Sequence, residues 1–318
     1  MSVVILSGNG ETVRFDGSAD AQGLILRSLD GWLDSPGAKV DLTERGNGDG
    51  AHDVLASQVR YSARTIEVGY RLLAPDPHGR DWLLAEQSII RRLLHGTVMV
   101  RVLDATADAY ATGYVDSVDI AETMQNVNHQ TVTGQIIVVC PRPEILSTQT
   151  QSGQLMPLRP GEGRGGLTYN QSMLRTWWEG EPNNSVSVLN PDTLAGDSGV
   201  RYPLTYRKRS HPRAENQMTF TNRGSSPAYP LLRVHGPMPD GVDLVDSTGQ
   251  WLRCRQPVAG EPLVLDCRAR TATVGGLDVS RMLTSRGFPV VPPGGSVTVT
   301  LRTAGDGWVD AEMHDTWM

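Results

Sequence analysis

The second half of the sequence alternates short apolar segments with glycine- and proline-rich turns, and it carries no helical pattern. Turn segments such as PMPDG, DSTGQ, PVAGE and VPPGG recur at intervals of roughly 8–12 residues. Each short strand can bury only one face, so that such strands must pack as two sheets or close into a barrel. The pattern predicts strands over 228–235, 242–246, 250–255, 262–267, 270–274, 287–291, 295–302 and 307–314.

The first half is also rich in strands but adds one helix. The helix is predicted over residues 81–95, DWLLAEQSIIRRLLH, with Asp81 suited to cap its first turn. Its apolar positions recur at helical spacing, so we expect it to pack flat against a sheet. One face is marked by Trp82, Glu86, Ile89 and Leu93, and it is widened by Leu83, Ile90 and Leu94. Strands are predicted over 3–6, 12–15, 23–29, 97–104, 111–120 and 130–140, and residues 57–74 are predicted to form a long strand or a strand pair.

Two features of the first half bear on its organisation. Within residues 57–74 the apolar alternation slips near Arg64–Thr65, which indicates a bulge or a bend. The strand that ends at Cys140 runs into CPRPE, where two prolines stop a ladder. We therefore predict one domain over 1–146 and a second over 147–318. A connector is expected from residue 147, and residues 150–220 are either a connector or a decoration of the second domain.

The charge of the chain is distributed unevenly. Residues 1–146 hold 19 acidic and 12 basic side chains, for a net charge of −7, whereas residues 147–318 hold 16 and 17, for a net charge of +1. A groove that grips nucleic acid through its phosphates would need a positive charge. The acidic first half therefore argues against a nucleic-acid-binding domain.

A glycine-rich loop, ERGNGDGAHD at 44–53, has the composition of a metal or phosphate site. Overlaid on a calcium loop, Asn47, Asp49 and Gly50 match positions three, five and six, but Arg45 and Ala56 stand at positions one and twelve, where carboxylates are needed. No Lys-Ser/Thr pair or helix start follows the glycines, as a phosphate loop requires. The spacing favours a connecting loop without a metal.

No motif of an enzyme, a metal site or a cofactor site stands in the sequence. GDSG at 196–199 resembles a protease nucleophile segment, but no histidine lies in a partner motif, and a turn is favoured. The chain is therefore predicted not to be an enzyme and to need no cofactor. No apolar run reaches the roughly 20 residues that span a bilayer, which predicts no membrane insertion. Trp177 and Trp178 could stack on a sugar ring, although packing in a β-domain core is favoured.

The order of these features resembles the distal tail protein (Dit) family of long, non-contractile-tailed phages, often called minor tail proteins. The first part of the resemblance runs from GWLDSPG (31–37) through the glycine-rich loop to SARTIEVGYRLLAPD (62–76), the helix and CPRP (140–143). The second part runs from TNRGSSPAYPLLRVHGP (221–237) through residues 248–276 to PPGGSVTVTLRTAG and the end of the chain. Together they cover about two thirds of the sequence.

The resemblance implies a mainly β fold. The first domain would be a tail-tube-like β-sandwich plus α-helix that forms a homohexameric ring, and the second a galectin-like β-sandwich outside it. The protein would lie in the virion, at the distal end of the tail, after synthesis in the host cytoplasm. It would join the tail tube to the tip, with the tail tube protein, the tape measure protein and the tail-associated hub protein as partners.

Two groups of residues are expected to act in such a ring. DNA crossing the lumen without specific binding moves best past walls that repel phosphate weakly, so several acidic residues are expected to face it. The loop at 44–53 is expected to contact a neighbour, ordered in the ring and mobile alone. An alternative function is a carbohydrate- or receptor-binding module of the tail tip, with Trp177, Trp178 and Trp251 as contacts. The lumen candidates are Asp104, Asp108, Asp116, Asp119 and Glu122, and the contact candidates are Glu44, Arg45, Asn47, Asp49 and His52.

Overall fold

The structure is a computed structural model that describes residues 3–16, 23–55, 59–74, 79–121, 131–157 and 216–318. These ranges contain antiparallel strands throughout and one α-helix, which confirms the prediction of a mainly β chain with one packing helix. The helix α1 spans Gly79–Arg92. The strands of the first half are β1 (Val3–Gly8), β2 (Glu11–Phe15), β3 (Gly23–Asp30), β4 (Ala38–Lys39), β5 (Arg60–Tyr61), β6 (Arg64–Leu73), β7 (Thr97–Leu103), β8 (Asp108–Ala121) and β9 (Thr131–Cys140).

Seven strands of the first half form one antiparallel sheet around a single core. Their order is β2, β1, β7, β8, β9, β6, β3. Asp16, just beyond β2, forms a parallel bridge with Ile25 of β3, so that the two end strands meet. The alternation of apolar side chains places one face of each strand in this core, as the sequence pattern predicts.

Helix α1 packs on this core through a face that only partly matches the predicted one. Leu83 and Ile90 belong to both, and Leu93, just beyond the helix, is buried as predicted. Leu83, Gln87 and Ile90 are the buried side chains of the helix, whereas Trp82 and Ile89 are only partly buried. The helix begins at Gly79, so that Asp81 lies in the first turn instead of capping it. The predicted stripe omits Gln87, because the pattern counts only apolar residues and this buried side chain carries an amide.

The second half is a two-layered sandwich. Its strands are β10 (Ile145–Leu155), β11 (Gln217–Thr221), β12 (Leu231–His235), β13 (Val242–Asp246), β14 (Trp251–Cys254), β15 (Leu263–Asp266), β16 (Thr271–Val274), β17 (Leu277–Asp278), β18 (Leu283–Arg286), β19 (Ser296–Leu301) and β20 (Trp308–Trp317). One layer has the order β17, β16, β15, β12, β20, β10, and the other has β11, β19, β13, β14, β18. Side chains from both layers form the second core.

One predicted strand, at 287–291, is wrong. The strand lies just before it, in β18, and pairs with β14. Pro289 has no N–H group to donate to a ladder, and a side chain at Gly287 would collide with the Trp251 backbone, 2.7 Å from its carbonyl oxygen. Only Val291 pairs again, in an isolated bridge with Ala228.

Strand β10 joins the two halves, and it replaces the connector expected from residue 147. Leu146 and Ser147 pair with Tyr110 and Ala109 of β8, while most of β10 pairs with β20. A single sheet therefore continues from the first half into the second. The segment TQTQSGQ in β10 is polar because those side chains are partly or fully exposed, and its composition resembles that of a loop.

The segment TNRGSS (221–226) is held by the side chain of Asn222, which is completely buried. Its Oδ1 accepts hydrogen bonds from the N–H groups of Gly224 and Thr316, and its Nδ2 donates to the carbonyl of Ser226 at 2.7 Å. A Cβ at Gly224 would lie 1.8 Å from the Thr316 carbonyl oxygen. The Asn-x-Gly pattern of this segment is therefore required by the close approach of β20.

Candidate assembly interface

Strands β3 and β6 are antiparallel neighbours, but their connection is far longer than a hairpin loop. Asp30 pairs with Glu67, and the 33 residues between Asp30 and Arg64 leave the sheet and return to it. Loops between paired strands usually contain about 2–5 residues, and much longer ones are commonly functional. We call residues 31–63 the arm.

Short ladders give the arm the form of an irregular hairpin. Strands β4 and β5 pair within it. Near the tip, Glu44 bridges to Ala51, the N–H of Arg45 donates to the carbonyl of Gly50, and the Arg45 Nε–H donates to the Ala51 carbonyl at 2.9 Å. The predicted contact residues Glu44, Arg45, Asn47, Asp49 and His52 all lie at this tip and are exposed.

The base of the arm is fixed by a buried arginine. Arg64 is 2% exposed and opens β6 at the position of the predicted phase slip. Its Nη1 donates to the carbonyls of Gly31, Trp32 and Asp34 at 2.7, 3.0 and 2.6 Å. Burial lowers the pKa of this guanidinium, and the neighbouring Cys140 and Asp34 oppose that shift. Sequence reasoning missed this residue, because a cation in a strand pattern reads as a surface position.

Two further residues anchor the start of the arm. Gly31 has φ 75°, and a Cβ at this position would lie 2.0 Å from the carbonyl oxygen of Thr65. Trp32 follows it and is buried in the first core. The turn out of the sheet therefore needs a glycine, and the tryptophan holds the turn against the core.

Beyond this base the arm carries apolar side chains that nothing in the described residues covers. Leu33 is 92% exposed, and Leu42 and Leu55 are each 65% exposed. Three large apolar side chains on one projecting segment exceed the scattered exposure that is normal on a protein surface. The arm is therefore a candidate interface.

Two of the predicted lumen residues lie on one exposed sheet face. Cross-strand pairs share a face, and Glu67 of β6 is directly opposite Asp30 of β3, while Gln135 of β9 is opposite Asp119 of β8. Gln135 Nε2 donates to Glu67 Oε2 at 2.6 Å, which places both pairs on the same side. Asp116 is exposed at the irregularity of β8 beside this face. We call this outer side of β3, β6, β9 and β8 the acidic face.

The other predicted lumen residues do not join that face. Asp104 and Asp108 lie at the β7–β8 turn, at the opposite end of β8. A two-pronged contact with Arg101, with distances of 2.8 and 2.6 Å, lowers the pKa of the Asp108 carboxyl by hydrogen bonding. Glu122 lies outside the described residues.

Both sides of the acidic face end in strand edges that lack a partner in the described part of the chain. On one side, β3 pairs with β6, and beyond Leu26 its outer edge is open. On the other side, β7 begins opposite Tyr114, so that Val115–Ile120 of β8 pair with β9 alone. Open edges are surfaces on which another chain can add.

A cleft lies where β9 and β10 diverge along the same side of β8. Strand β9 pairs with β8 from Tyr114 onward, whereas β10 pairs with it at Ala109 and Tyr110, and residues 141–144 cross the gap. The cleft has a volume of about 410 Å³. We call it the fork cleft, and it is lined by Thr97, Tyr110, Thr112, Tyr114, Pro141, Arg142, Glu144 and Leu146.

The junction between the halves adds charged contacts next to this cleft. Arg268 Nη2 donates to both oxygens of Glu144, at 2.9 and 2.7 Å. His314 Nδ1 lies 2.8 Å from the Ser147 carbonyl oxygen, and its ring meets the edge of Tyr110. The Arg268–Glu144 pair and the His314–Tyr110 ring contact hold the second sandwich against the first half, and Arg268 neutralises Glu144.

The remaining predicted sites gain no support from the structure. Trp177, Trp178 and Ser198 lie outside the described residues, so a glycan contact at the tryptophans stays a prediction. Trp251 is partly buried, and the guanidinium of Arg253 lies over its ring at 4.0 Å. The described ranges contain no group of three His, Cys, Asp or Glu side chains that could hold a metal. No helix in those ranges is long and apolar enough to cross a bilayer.

Comparisons with known proteins place the fold. No family model matches the sequence, and neither does any curated protein. The chain is similar to the Dit protein of phage SPP1, described as a paradigm of the hub adsorption apparatus in phages that infect Gram-positive bacteria, with a TM-score of 0.56 and 9% identity over 99% of both chains. The activated phage P2 baseplate matches with a TM-score of 0.47, at 7% identity with Ca and 8% with Sr, over 98% of both chains. The distal tail resemblance is confirmed as a likeness of fold.

Proposed function

We propose that this chain, which has the fold of the SPP1 Dit protein, is a structural hub of a phage tail. Six copies would form a closed ring at the distal end of the tail in the virion. The ring would join the tail tube to the tip complex and leave a central channel for DNA. The observation that carries the proposal is the anchored, exposed arm, because a monomer gains nothing from fixing three uncovered leucines on a projecting hairpin.

A closed ring also needs two different surfaces on each copy, since head-to-tail contacts are heterologous. The open edges of β3 and β8 supply such a pair on opposite sides of the acidic face. If copies meet at these edges, the acidic faces form a continuous wall. We therefore assign the lumen to this face.

The charge of that wall suits the passage of DNA. Asp30, Glu67, Asp116 and Asp119 stand on or beside the acidic face and outnumber Arg71, which lies on the same side of β6 as Glu67. Phosphates are weakly repelled from a surface with net negative charge instead of being held by it. Asp104 and Asp108 lie at the far end of β8, so they belong to the rim of the channel in this arrangement.

The partners follow from the position of the ring. One rim would meet the tail tube protein, the other the tail-associated hub protein, and the tape measure protein would pass through the lumen before DNA does. The role is non-enzymatic and uses no cofactor. Synthesis in the host cytoplasm precedes assembly.

Electron microscopy of negatively stained protein, combined with light scattering, tests the proposal. We expect six-fold rings for the natural chain, alone or with the tail tube protein. A variant with residues 40–54 replaced by Asn-Gly keeps β4, β5 and the anchored base, and we expect it to stay monomeric with an unchanged melting temperature. Monomers of the natural chain even beside the tube protein would contradict the ring.

A further inference from the structure

We propose that the arm of one copy seats in the fork cleft of the next copy, with Leu42 against Tyr114 and the acidic tip near Arg142. This rests on the proposed function, because it names the receiving surface of the ring contact. The ring alone does not imply it, since the arm could contact a different surface of the next copy.

The positions of the two surfaces match the geometry of a ring. The arm leaves the acidic face on its β3 side, and the fork cleft opens on its β8 side. Both lie at the same end of the strands, since Arg64 pairs with Cys140 and Tyr114 pairs with Val139. When the face repeats side by side, the arm of each copy is therefore level with the cleft of its neighbour.

The cleft offers what uncovered leucines require. Tyr114 is 47% exposed, and it stands with Tyr110, Pro141 and Leu146 in a cleft that no described residue fills. An apolar side chain inserted there would be removed from water together with an aromatic ring. The volume of about 410 Å³ is large enough for more than one side chain.

Charge complementarity supports the same pairing. Glu144 is neutralised by Arg268, whereas the side chain of Arg142 is 50% exposed and has only a long, 4.0 Å contact with Asp266, so that it can still pair with an incoming acidic side chain. Between residues 34 and 53 the arm carries five acidic and two basic side chains. An acidic arm is thus attracted to the cleft and repelled from the acidic face, which favours one direction of docking.

The reach of the arm is sufficient. An extended chain rises roughly 3.3 Å per residue, so the 13 residues from Asp34 to Asn47 span up to about 40 Å. A compact body of about 150 residues is roughly 40 Å across. The tip can therefore cross the boundary between adjacent copies while the base remains fixed by Arg64.

An engineered disulfide tests this contact directly. Cys140, Cys254 and Cys267 are buried, so that they do not compete with new surface thiols. In the double variant Leu42→Cys, Tyr114→Cys, we expect oxidation of the assembled rings to give a ladder of covalent species up to the hexamer on a non-reducing gel. A matched control, Leu42→Cys with Leu277→Cys, places the second thiol on an exposed leucine of the second half and should give no ladder.

A charge exchange provides an independent measurement. Arg142→Glu should lower the yield of rings at least tenfold, and adding Asp41→Arg and Asp53→Arg should restore it. The docking site would be wrong, although the ring would stand, if the double-cysteine variant formed rings without covalent species. The same holds if Arg142→Glu left the yield of rings unchanged. Failure of the natural chain to form rings would overturn both proposals.

Discussion

The Nε–H group of Arg64 donates a 2.7 Å hydrogen bond to the carbonyl oxygen of Pro143, which lies 79 residues later in the chain. The same guanidinium holds three carbonyls at the start of the arm. One side chain therefore ties the root of the projecting arm to the segment that leads into β10. The position of the arm and the junction of the two halves are fixed together.

Removing this guanidinium should be costly. In Arg64→Met, four carbonyls lose their donor, two of them in buried hydrogen bonds, and we expect the free energy of unfolding to fall by about 3–5 kcal/mol. Urea denaturation measures this loss. Arg27→Met, at an exposed position of β3, should change the value by less than about 0.5 kcal/mol. Equal effects of the two substitutions would contradict the clamp.

We expect Gly31 to tolerate no side chain, whereas Gly249, which has a similar φ, should tolerate one at a moderate cost. Gly249 has φ 87° and no atom within 4 Å of an added Cβ, so Gly249→Ala should cost about 1–2 kcal/mol from the backbone alone. Gly31→Ala adds a collision with the Thr65 carbonyl and should cost clearly more. Thermal unfolding of the two variants separates the cost of the collision at Gly31 from the cost of the left-handed backbone alone.

The hydroxyl of Tyr70 should make the fold sensitive to alkali. Burial, opposed by Arg91 and aided by Asp119, raises the pKa of this phenol to about 12. Below pH 10 the phenol is neutral in both states. Between pH 10 and 12 only the unfolded state loses the proton, so stability falls as pH rises, by up to about 2.7 kcal/mol.

Tyr70→Phe tests this pH dependence. The Tyr70 hydroxyl is buried and has no hydrogen-bond partner among the described residues, so its removal should leave stability at pH 7 unchanged or slightly higher. The difference in unfolding free energy between variant and natural chain should then grow from pH 10 to 12. A difference that is constant with pH would show that the phenol does not titrate between the two states.

The ion pair at the junction should couple the halves more strongly than an exposed pair does. A double-mutant cycle on Arg268→Ala and Glu144→Ala should give a coupling energy of about 1–2 kcal/mol, because Glu144 is only 13% exposed and accepts three hydrogen bonds from Arg268. The more exposed pair Arg233–Glu312, in a single contact of 2.7 Å, should give less than about 1 kcal/mol. Reversal of this order would show that the junction does not depend on the pair.

Reversing the charge of the acidic face should turn it into a surface that binds DNA. The triple variant Asp30→Lys, Glu67→Lys, Asp119→Lys should bind short duplexes in fluorescence anisotropy, with affinity that falls steeply as salt rises. The matched variant Asp240→Lys, Glu261→Lys, Asp306→Lys makes the same charge change at exposed sites of the second half. Equal binding by the two assembled variants would remove the acidic face from the lumen.

The elements that the sequence predicts well are those whose side chains alternate strictly. Strands β9, β13 and β20 are predicted to within a few residues, because buried residues alternate along most of their length. Strand β6 also alternates, but it begins at Arg64, seven residues after the predicted start of the segment 57–74. Strand β10 is not predicted, because its largely polar side chains resemble those of a loop, although it lies between β8 and β20 in the sheet. The helix is found, but its buried face is misjudged at Gln87.

The candidate interface is less readable, for a physical reason. The tip of the arm is found from its glycines, but its anchors are not, because Arg64 works through backbone carbonyls that leave no pattern in the side chains. Leu42 and Leu55 look like ordinary apolar residues until the structure exposes them. The acidic residues are found by composition, yet only the register of β8 separates Asp116 and Asp119 from Asp104 and Asp108.

Strand β20 is the last of the described strands to leave the ribosome, and it lies between β12 and β10, pairing Trp317 with Ile145. At synthesis rates of about 5–20 residues per second, β20 is synthesised roughly ten to thirty seconds after β10. The sheet that joins the halves is thus completed by contacts of very long sequence separation, which form slowly. The two halves of a nascent chain are therefore joined through this sheet only after β20 has been synthesised.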